Sequence, residues 1–323
     1  GHVVRHVRTN ALGHGSVVRR IPLLRGIVNH ALFLASLVSG LRGVDVIHVF
    51  ANSGLSYYLF AVPPIALGRL VGRRVVVHYH GGAAPQFLKK AAPFVVPWLR
   101  LADVLLVPSA FLMRTFQRHG LRPVEVANLV DPVVGERSRH DPSSRRILMA
   151  RNLTPVYNVA CGLRAFREIL TQFPQATLTV AGDGPDRAAL EELARTLELG
   201  DRCRFVGNVD NDLLRRMMLE ADMLLNASRA DNQPVSIVEA FSAGTIVVRT
   251  NVRGIPGPRA PHGRGLLPPG HRQPALAGEA IRALTDPSLA RRLTARGAAR
   301  AADFTWPRIY PILAAAYASG PTR

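Results

Sequence analysis

From about residue 43 onward, short β-branched runs alternate with longer segments whose apolar residues recur at helical spacing. That alternation predicts stacked β-α units and a parallel sheet. In the first half the expected strands are Val44 to Phe50, Arg74 to Tyr79, Val104 to Val107 and Val124 to Ala127, with helices between them. The stretch RSRHDPSSRR, Arg137 to Arg146, is polar, contains Pro and Ser and carries no apolar period, so it reads as an interdomain linker. After it the alternation restarts: strands Ile147 to Ala150, Ala176 to Ala181, Cys203 to Val206, Met223 to Leu225 and Ile246 to Thr250. The helices between them are Val159 to Gln172, Asp186 to Leu197, Asp212 to Ala221 and one beginning at Pro234, followed by Ala-rich helices to the end. Two successive doubly wound units imply a cleft between them, with ligands gathered at the carboxyl ends of the strands.

Composition narrows this picture. A chain of 323 residues with 48% apolar content has material for two cores rather than one, and is neither disordered nor fibrous. Its two cysteines, Cys161 and Cys203, form no CxxC or Cys/His cluster, which points to buried structural thiols in a reducing, cytoplasmic setting. The net charge of +19 is unevenly spread: residues 1 to 140 hold 17 basic and 5 acidic side chains, against 24 and 17 in the remainder. Such a surface attracts nucleic acid, anionic lipid or a phosphorylated substrate. Aromatic residues are too scarce for a base-stacking platform, so no nucleic-acid partner is expected. Arg19, Arg20 and Arg25 beside an apolar helix favour peripheral contact with an anionic membrane surface instead. No membrane span is expected, because Gly26 to Leu41 contains Asn29 and His30, and Ala91 to Met113 is cut by Pro93, Pro97, Arg100 and Asp103. No signal peptide is visible, and the opening Gly-His in place of Met raises the expectation of a missing start.

The segment SRADNQPVSIVEAFSAG, Ser228 to Gly244, carries the most chemistry. It follows a buried strand, crosses a polar loop and enters a helix whose first position suits Pro234, where a missing amide hydrogen costs nothing. The unpaired amides of that first turn, at the positive end of the helix dipole, can hold a diphosphate. Asp231 and Glu239 stand eight positions apart, one in the loop and one in the second helical turn, so they are not placed to flank one bond as a hydrolase pair does. They are better suited to gripping two parts of one ligand, since a carboxylate accepts hydrogen bonds from a ribose or hexose diol. In the first half, His78-Tyr79-His80-Gly81-Gly82 ends a strand. His78 and His80 share a face, but without a nearby carboxylate or third ligand no metal site is expected. The glycines permit close backbone approach to a phosphate.

Taken together, these motifs resemble the retaining glycosyltransferases of family 4, and the resemblance covers nearly the whole chain. In that family a Ser-x-x-Glu, seven intervening residues and a second Glu-Ala precede a small-residue Gly stretch and a Val-Val strand. Here Asp231 stands for the first Glu and Glu239 matches the second. AGDGP at Ala181 to Pro185, FVGNV at Phe205 to Val209, ADMLLNAS at Ala221 to Ser228, GIP at Gly254 to Pro256, GLLPP at Gly265 to Pro269, the FTW ending in Trp306 and NLVD at Asn128 to Asp131 follow the family's pattern.

The resemblance implies a GT-B fold, two Rossmann-like doubly wound parallel-sheet domains facing across a cleft. Residues 1 to 140, completed by helix 307 to 323, would be the acceptor side, and 141 to 306 the nucleotide-sugar donor domain. It further implies transfer of a hexosyl group from a UDP- or GDP-sugar to a carbohydrate or lipid-linked hydroxyl acceptor, with the sugar nucleotide as co-substrate and no other cofactor. Glu239 would bind the donor ribose, Asp231 and the amides of Asn232, Gln233, Pro234 and Val235 would meet the transferred sugar and diphosphate, and Arg151 would neutralise the phosphates. Gly184, Asn208 and Val209 would line the donor site, and His80 with Gly81 and Gly82 the reacting sugar. The Lys that usually follows the Arg is absent, Tyr157 or Asn158 standing there, and Arg253 replaces a common Gly. GHVVRHV looks like the family's second strand, with no counterpart of its first strand and Gly-rich loop. That departure admits a second reading, a catalytically silent scaffold or truncated transferase that binds a sugar nucleotide or a partner protein. A nucleotide-linked dehydrogenase fails on the absence of a GxGxxG between a first strand and helix.

Overall fold

The computed structural model describes residues 3–9, 22–136, 145–229, 231, 234–250 and 272–318. Most of the expected linker, together with Arg19, Arg20, Asn232, Gln233, Arg253 and the GIP and GLLPP motifs, lies outside the described residues. The chain divides into two compact units, Gly1–Val126 with Pro311–Arg323, and Ala127–Tyr310.

The first unit is built from α1 (Pro22–Gly40), β1 (Val46–Ala51), α2 (Val62–Leu70), β2 (Arg74–Tyr79), α3 (Ala84–Arg100), β3 (Val104–Val107), α4 (Ala110–Gln117) and β4 (Val124–Glu125). The four strands pair in parallel in the order β1-β2-β3-β4. Alternation sends Val75, Val77 and Tyr79 of β2 and Leu105 and Val107 of β3 into one core with Ile65, Leu88, Leu99 and Phe116 from the helices. The buried hydroxyl of Tyr57 donates to Val95 O at 3.0 Å, which satisfies it within that core. Helix α3 is broken at Ala91, two residues ahead of Pro93, whose ring cannot follow a regular turn. One sequence expectation fails here: residues 3 to 8 form no strand. Val3 and Val4 are 94% and 68% exposed and Val7 is only half-buried, so no face of the run is buried along its length and no ladder among the described residues takes it in.

The second unit contains β5 (Arg146–Ala150), α5 (Val159–Gln172), β6 (Thr177–Ala181), α6 (Arg187–Thr196), β7 (Cys203–Gly207), α7 (Asn211–Glu220), β8 (Met223–Asn226), α8 (Val235–Ser242), β9 (Ile246–Arg249), α9 (Arg272–Thr285) and α10 (Pro287–Ala301), while α11 (Trp306–Ala318) ends the described chain. Its parallel sheet runs β7-β6-β5-β8-β9. One face packs on α5 and α9 through residues such as Met149, Leu225, Phe166 and Ala277; the other packs on α7, α8 and α10 through Leu148, Leu224, Met218 and Phe241. Val130 and Val133, ahead of the polar stretch at 137, already belong to this second face, and Val130 N donates to Phe304 O at 2.9 Å. Asp210 and Asp286 cap α7 and α10 by accepting amide hydrogens from Leu213 and from Ser288 and Leu289.

The strand order sets the site. From β5 the chain winds outward through β6 to β7, then crosses back to place β8 on the other side of β5. The loops leaving β5 and β8 therefore lie side by side at the carboxyl ends of these neighbouring strands, where Arg229 N donates to Val156 O at 2.8 Å, at the switch point where ligands of such sheets bind.

Candidate functional site

Arg151 leaves β5 at its carboxyl end, and Asp231 lies in the loop between β8 and α8. Their side chains meet at the strand ends: Arg151 Nη2 stands 2.9 Å from Asp231 Oδ2, with side chains only 12% and 15% exposed. Burial pushes the Arg151 guanidinium below its ordinary pKa, against the opposing pull of Asp231 and Tyr157. The Tyr157 ring, 5.3 Å from the guanidinium carbon, gives Arg151 a π-face where the family resemblance leads one to look for a second cation. The buried Nε of Arg151 has no hydrogen-bond partner among the described residues.

Helix α8 follows in the same loop-to-helix segment. Pro234 takes its N-cap position with extended backbone, and the next amides precede the intrahelical ladder. One turn further, Glu239 is buried, and its Oε1 lies 3.9 Å from Arg215 Nε of α7. Arg215 also reaches Asp131 at 3.6 Å and Asp212 at 3.9 Å. Burial raises the Glu239 pKa, the Arg215 charge lowers it and Asp131 raises it again. Asp231 and Glu239 thus face different arginines, Arg151 and Arg215.

The glycines of the GDGP motif are closely packed on a neighbouring loop. A Cβ on Gly182, at φ +135, would run into Arg151 O, and one on Gly184 into Leu153 O. Their absence of side chain lets the β6–α6 loop seat on the β5–α5 loop, where Leu153 N donates to Asp183 O and Asp186 N to Leu153 O. Gly184 is therefore packed on backbone. Asn208, just past β7, is exposed, and Val209 is half-buried against the α7 and α8 face.

In the first unit, His48 and Phe50 of β1 and His78 and His80 at the end of β2 line one sheet face. The ring centroids of His78 and His80 are 4.1 Å apart, those of His48 and His78 5.6 Å, and those of Phe50 and His80 5.5 Å. Burial, aided by the neighbouring imidazoles, pushes His48 to about 4 and His78 to about 3; burial also lowers His80. His48 Nδ1 meets Tyr317 Oη at 2.6 Å, and Arg74 Nε donates to Ala316 O at 2.7 Å, which ties the end of α11 to this sheet. Gly81 is close-packed, a Cβ there falling 2.8 Å from Ser53 N, while Gly82 is exposed. Among the described residues no three His, Cys, Asp or Glu side chains converge as metal ligands would.

Sequence reasoning singles out Arg151, Asp231 and Glu239 and misses what surrounds them. Arg215, Asp131 and the stacking of Tyr157 need three dimensions, because they arrive from α7, the segment before β5 and the β5–α5 loop. Arg249, an arginine at the end of an otherwise apolar strand, is a signal that the sequence does display.

Two Rossmann-like units of parallel strands, with an arginine–carboxylate pair and a helix start at the switch point of the second, define the GT-B architecture. The crystal structure of Anabaena HepE in complex with UDP and glucose shares it at a TM-score of 0.72 and 19% identity, over 88% of this chain and 80% of that one. Residues 135–300, about half of the chain, match the family described as glycosyl transferases group 1, and the chain belongs to that family. Among its relatives, a phosphatidylinositol N-acetylglucosaminyltransferase of Arabidopsis thaliana is 30% identical over 48% of this chain and 37% of its own. A glycogen synthase of Mycobacterium tuberculosis is 27% identical over 84% of this chain and 68% of its own. The chain thus spans little more than a third of the first relative's length and about two thirds of the second's.

Proposed function

We propose that this protein is a retaining hexosyltransferase of family 4, taking its sugar from a UDP- or GDP-sugar and delivering it to a hydroxyl of a carbohydrate or lipid-linked acceptor. The Arg151–Asp231 pair at the β5/β8 switch point carries the reading: a buried cation with a spare donor, in the unit that also offers a helix start, suits the diphosphate of a sugar nucleotide. The second unit would be the donor domain and the first the acceptor domain. Arg151 and the α8 amides would stabilise the departing diphosphate, and positioning would supply much of the rest. Glu239 would accept hydrogen bonds from the donor ribose, and Asp231 from the transferred sugar, releasing part of its hold on Arg151 as phosphate arrives. His80 with Gly81 and Gly82 would serve the reacting sugar. The leaving phosphate oxygen would help deprotonate the acceptor on the same face, so the scheme requires no metal.

The excess of basic side chains in residues 1 to 140, 17 against 5 acidic, supports a cytoplasmic enzyme held at an anionic inner membrane face, in the synthesis of surface polysaccharide or glycolipid. Among the described residues no helix is long and apolar enough to cross a membrane. A screen of sugar nucleotides with acceptor hydroxyls, read by product formation and anomeric configuration, tests the reading. An α-linked product from an α-linked donor supports it, and inversion contradicts it. The replacement of the expected Lys by Tyr157 or Asn158 favours a second reading, a silent scaffold that binds a sugar nucleotide. Nucleotide release from a bound donor excludes that reading, whereas tight binding without release establishes it.

A further inference from the structure

Arg249 ends β9 in the run TIVVRTN, where the preceding residues are apolar. It stands in parallel register with Asn226, the last residue of β8, and the next residue, Thr250, donates from its amide to Asn226 O at 2.9 Å and from its hydroxyl to Ser228 O. Arg249 thus sits level with the start of the loop that carries Asp231. Alternation settles its side. Ile246 and Val248 enter the core under α5 and α9, and Val247 packs on the opposite face with Ile237 and Phe241 of α8. Arg249 shares the face of Val247, at the end of the strand where α8 starts.

Its Nη1 is buried and makes no hydrogen bond among the described residues. Burial lowers its pKa to about 10, with no carboxylate among the described residues pulling the other way, in contrast to Arg151. A half-buried guanidinium whose Nη1 is out of solvent, with no counter-charge among the described residues, is costly to hold. Here it adds to the positive end of the α8 dipole rather than being offset by it. Two ladder steps separate β9 from β5, about 10 Å at the backbone. Two arginine side chains reaching from Arg151 and Arg249 can close that span on one diphosphate.

We infer that Arg249 is a second phosphate-binding cation of the donor site, supplying the positive charge that Arg151, already paired with Asp231, does not provide alone. This rests on the donor-site reading above. The occupant is a nucleoside diphosphate group, and the phosphates rather than the base or sugar are what Arg249 recognises.

The test is binding of UDP and GDP, with inorganic pyrophosphate as competitor and uridine and guanosine as phosphate-free probes, to the wild-type chain, Arg249→Met and Arg249→Lys. In Arg249→Met, affinity for the diphosphate that the wild type binds should fall about tenfold or more, the scale of a lost charge-assisted hydrogen bond. Nucleoside affinity should not change, and the unliganded melting temperature should hold or rise. Arg249→Lys should recover part of the loss, and it keeps the test open if the Met variant fails to fold. Equal diphosphate affinity in wild type and Arg249→Met overturns the inference alone. So does a parallel loss of nucleoside and diphosphate binding with a lowered melting temperature, which marks a structural arginine. A wild type that binds no nucleoside diphosphate overturns the donor-site reading and this inference with it.

Discussion

Arg151 is held by two opposed influences, burial that disfavours its charge and the nearby Asp231 that favours it. Removing it takes one counter-charge from a carboxylate that is largely out of solvent, yet the side chain sits at a strand end rather than in a core cluster. Arg151→Ala should therefore cost roughly 10²- to 10³-fold in turnover, the scale of one lost oxyanion-stabilising donor. Its stability loss should stay within a few kcal/mol, far short of unfolding. Steady-state kinetics beside a denaturant melt separate the two, and equal turnover would remove Arg151 from the chemistry. Glu239 makes a complementary case. Its Arg215 contact is long at 3.9 Å, so the ribose reading predicts that Glu239→Gln weakens a nucleotide by about tenfold and makes binding less dependent on the 2′- and 3′-hydroxyls. Equal losses for ribose and deoxyribose nucleotides would count against that role. Both positions could be singled out as candidates in sequence, Glu239 by its spacing from Asp231 and Arg151 by its place at the end of a strand. Their surroundings were not, because nothing local links Arg215 of α7 to Glu239 of α8.

At the level of elements, the β-α alternation was readable to within a residue or two. The expected strand from Ala176 is observed as Thr177–Ala181, and the expected helix Asp212 to Ala221 as Asn211–Glu220, opened by the cap at Asp210. Buried parallel strands leave continuous β-branched runs that few other structures produce. What escaped was local and needed a neighbour: the π-helical turn at Tyr57–Ala61, and the failure of residues 3 to 8 to become a strand. The close seating of one loop on another at Gly182 and Gly184 was likewise invisible until the two loops were brought together. Gly182→Ala forces a Cβ into Arg151 O at a positive φ and should destabilise the second unit by roughly 2 to 4 kcal/mol, shifting Arg151 as well. Thermal melting checks it; a change under about 0.5 kcal/mol would mean that the two loops are not so closely seated.

On the scale of the molecule, each unit has its own core, and its own response to pH follows from what is buried there. His48 and His78 have folded pKa values of about 4 and about 3, below the unfolded value near 6.5. Between those limits the unfolded chain binds more protons, so their contribution is intact above about 6.5 and is lost as pH falls towards 4, at up to about 1.4 kcal/mol per pH unit for each fully titrating histidine. The melting temperature should fall across that window, and His78→Phe should flatten the fall relative to wild type. An equally steep profile in the variant would show that the His78 imidazole is not a cause. The whole-molecule claim, a donor site in the second unit that works on sugar nucleotides, is tested most directly by nucleotide release from a panel of UDP- and GDP-sugars, with wild type and Arg151→Ala side by side. Release from at least one donor, slowed roughly 10²-fold or more in the variant, is the expected result. Release that the variant matches, or a wild type that binds and hydrolyses none of the panel, would contradict it.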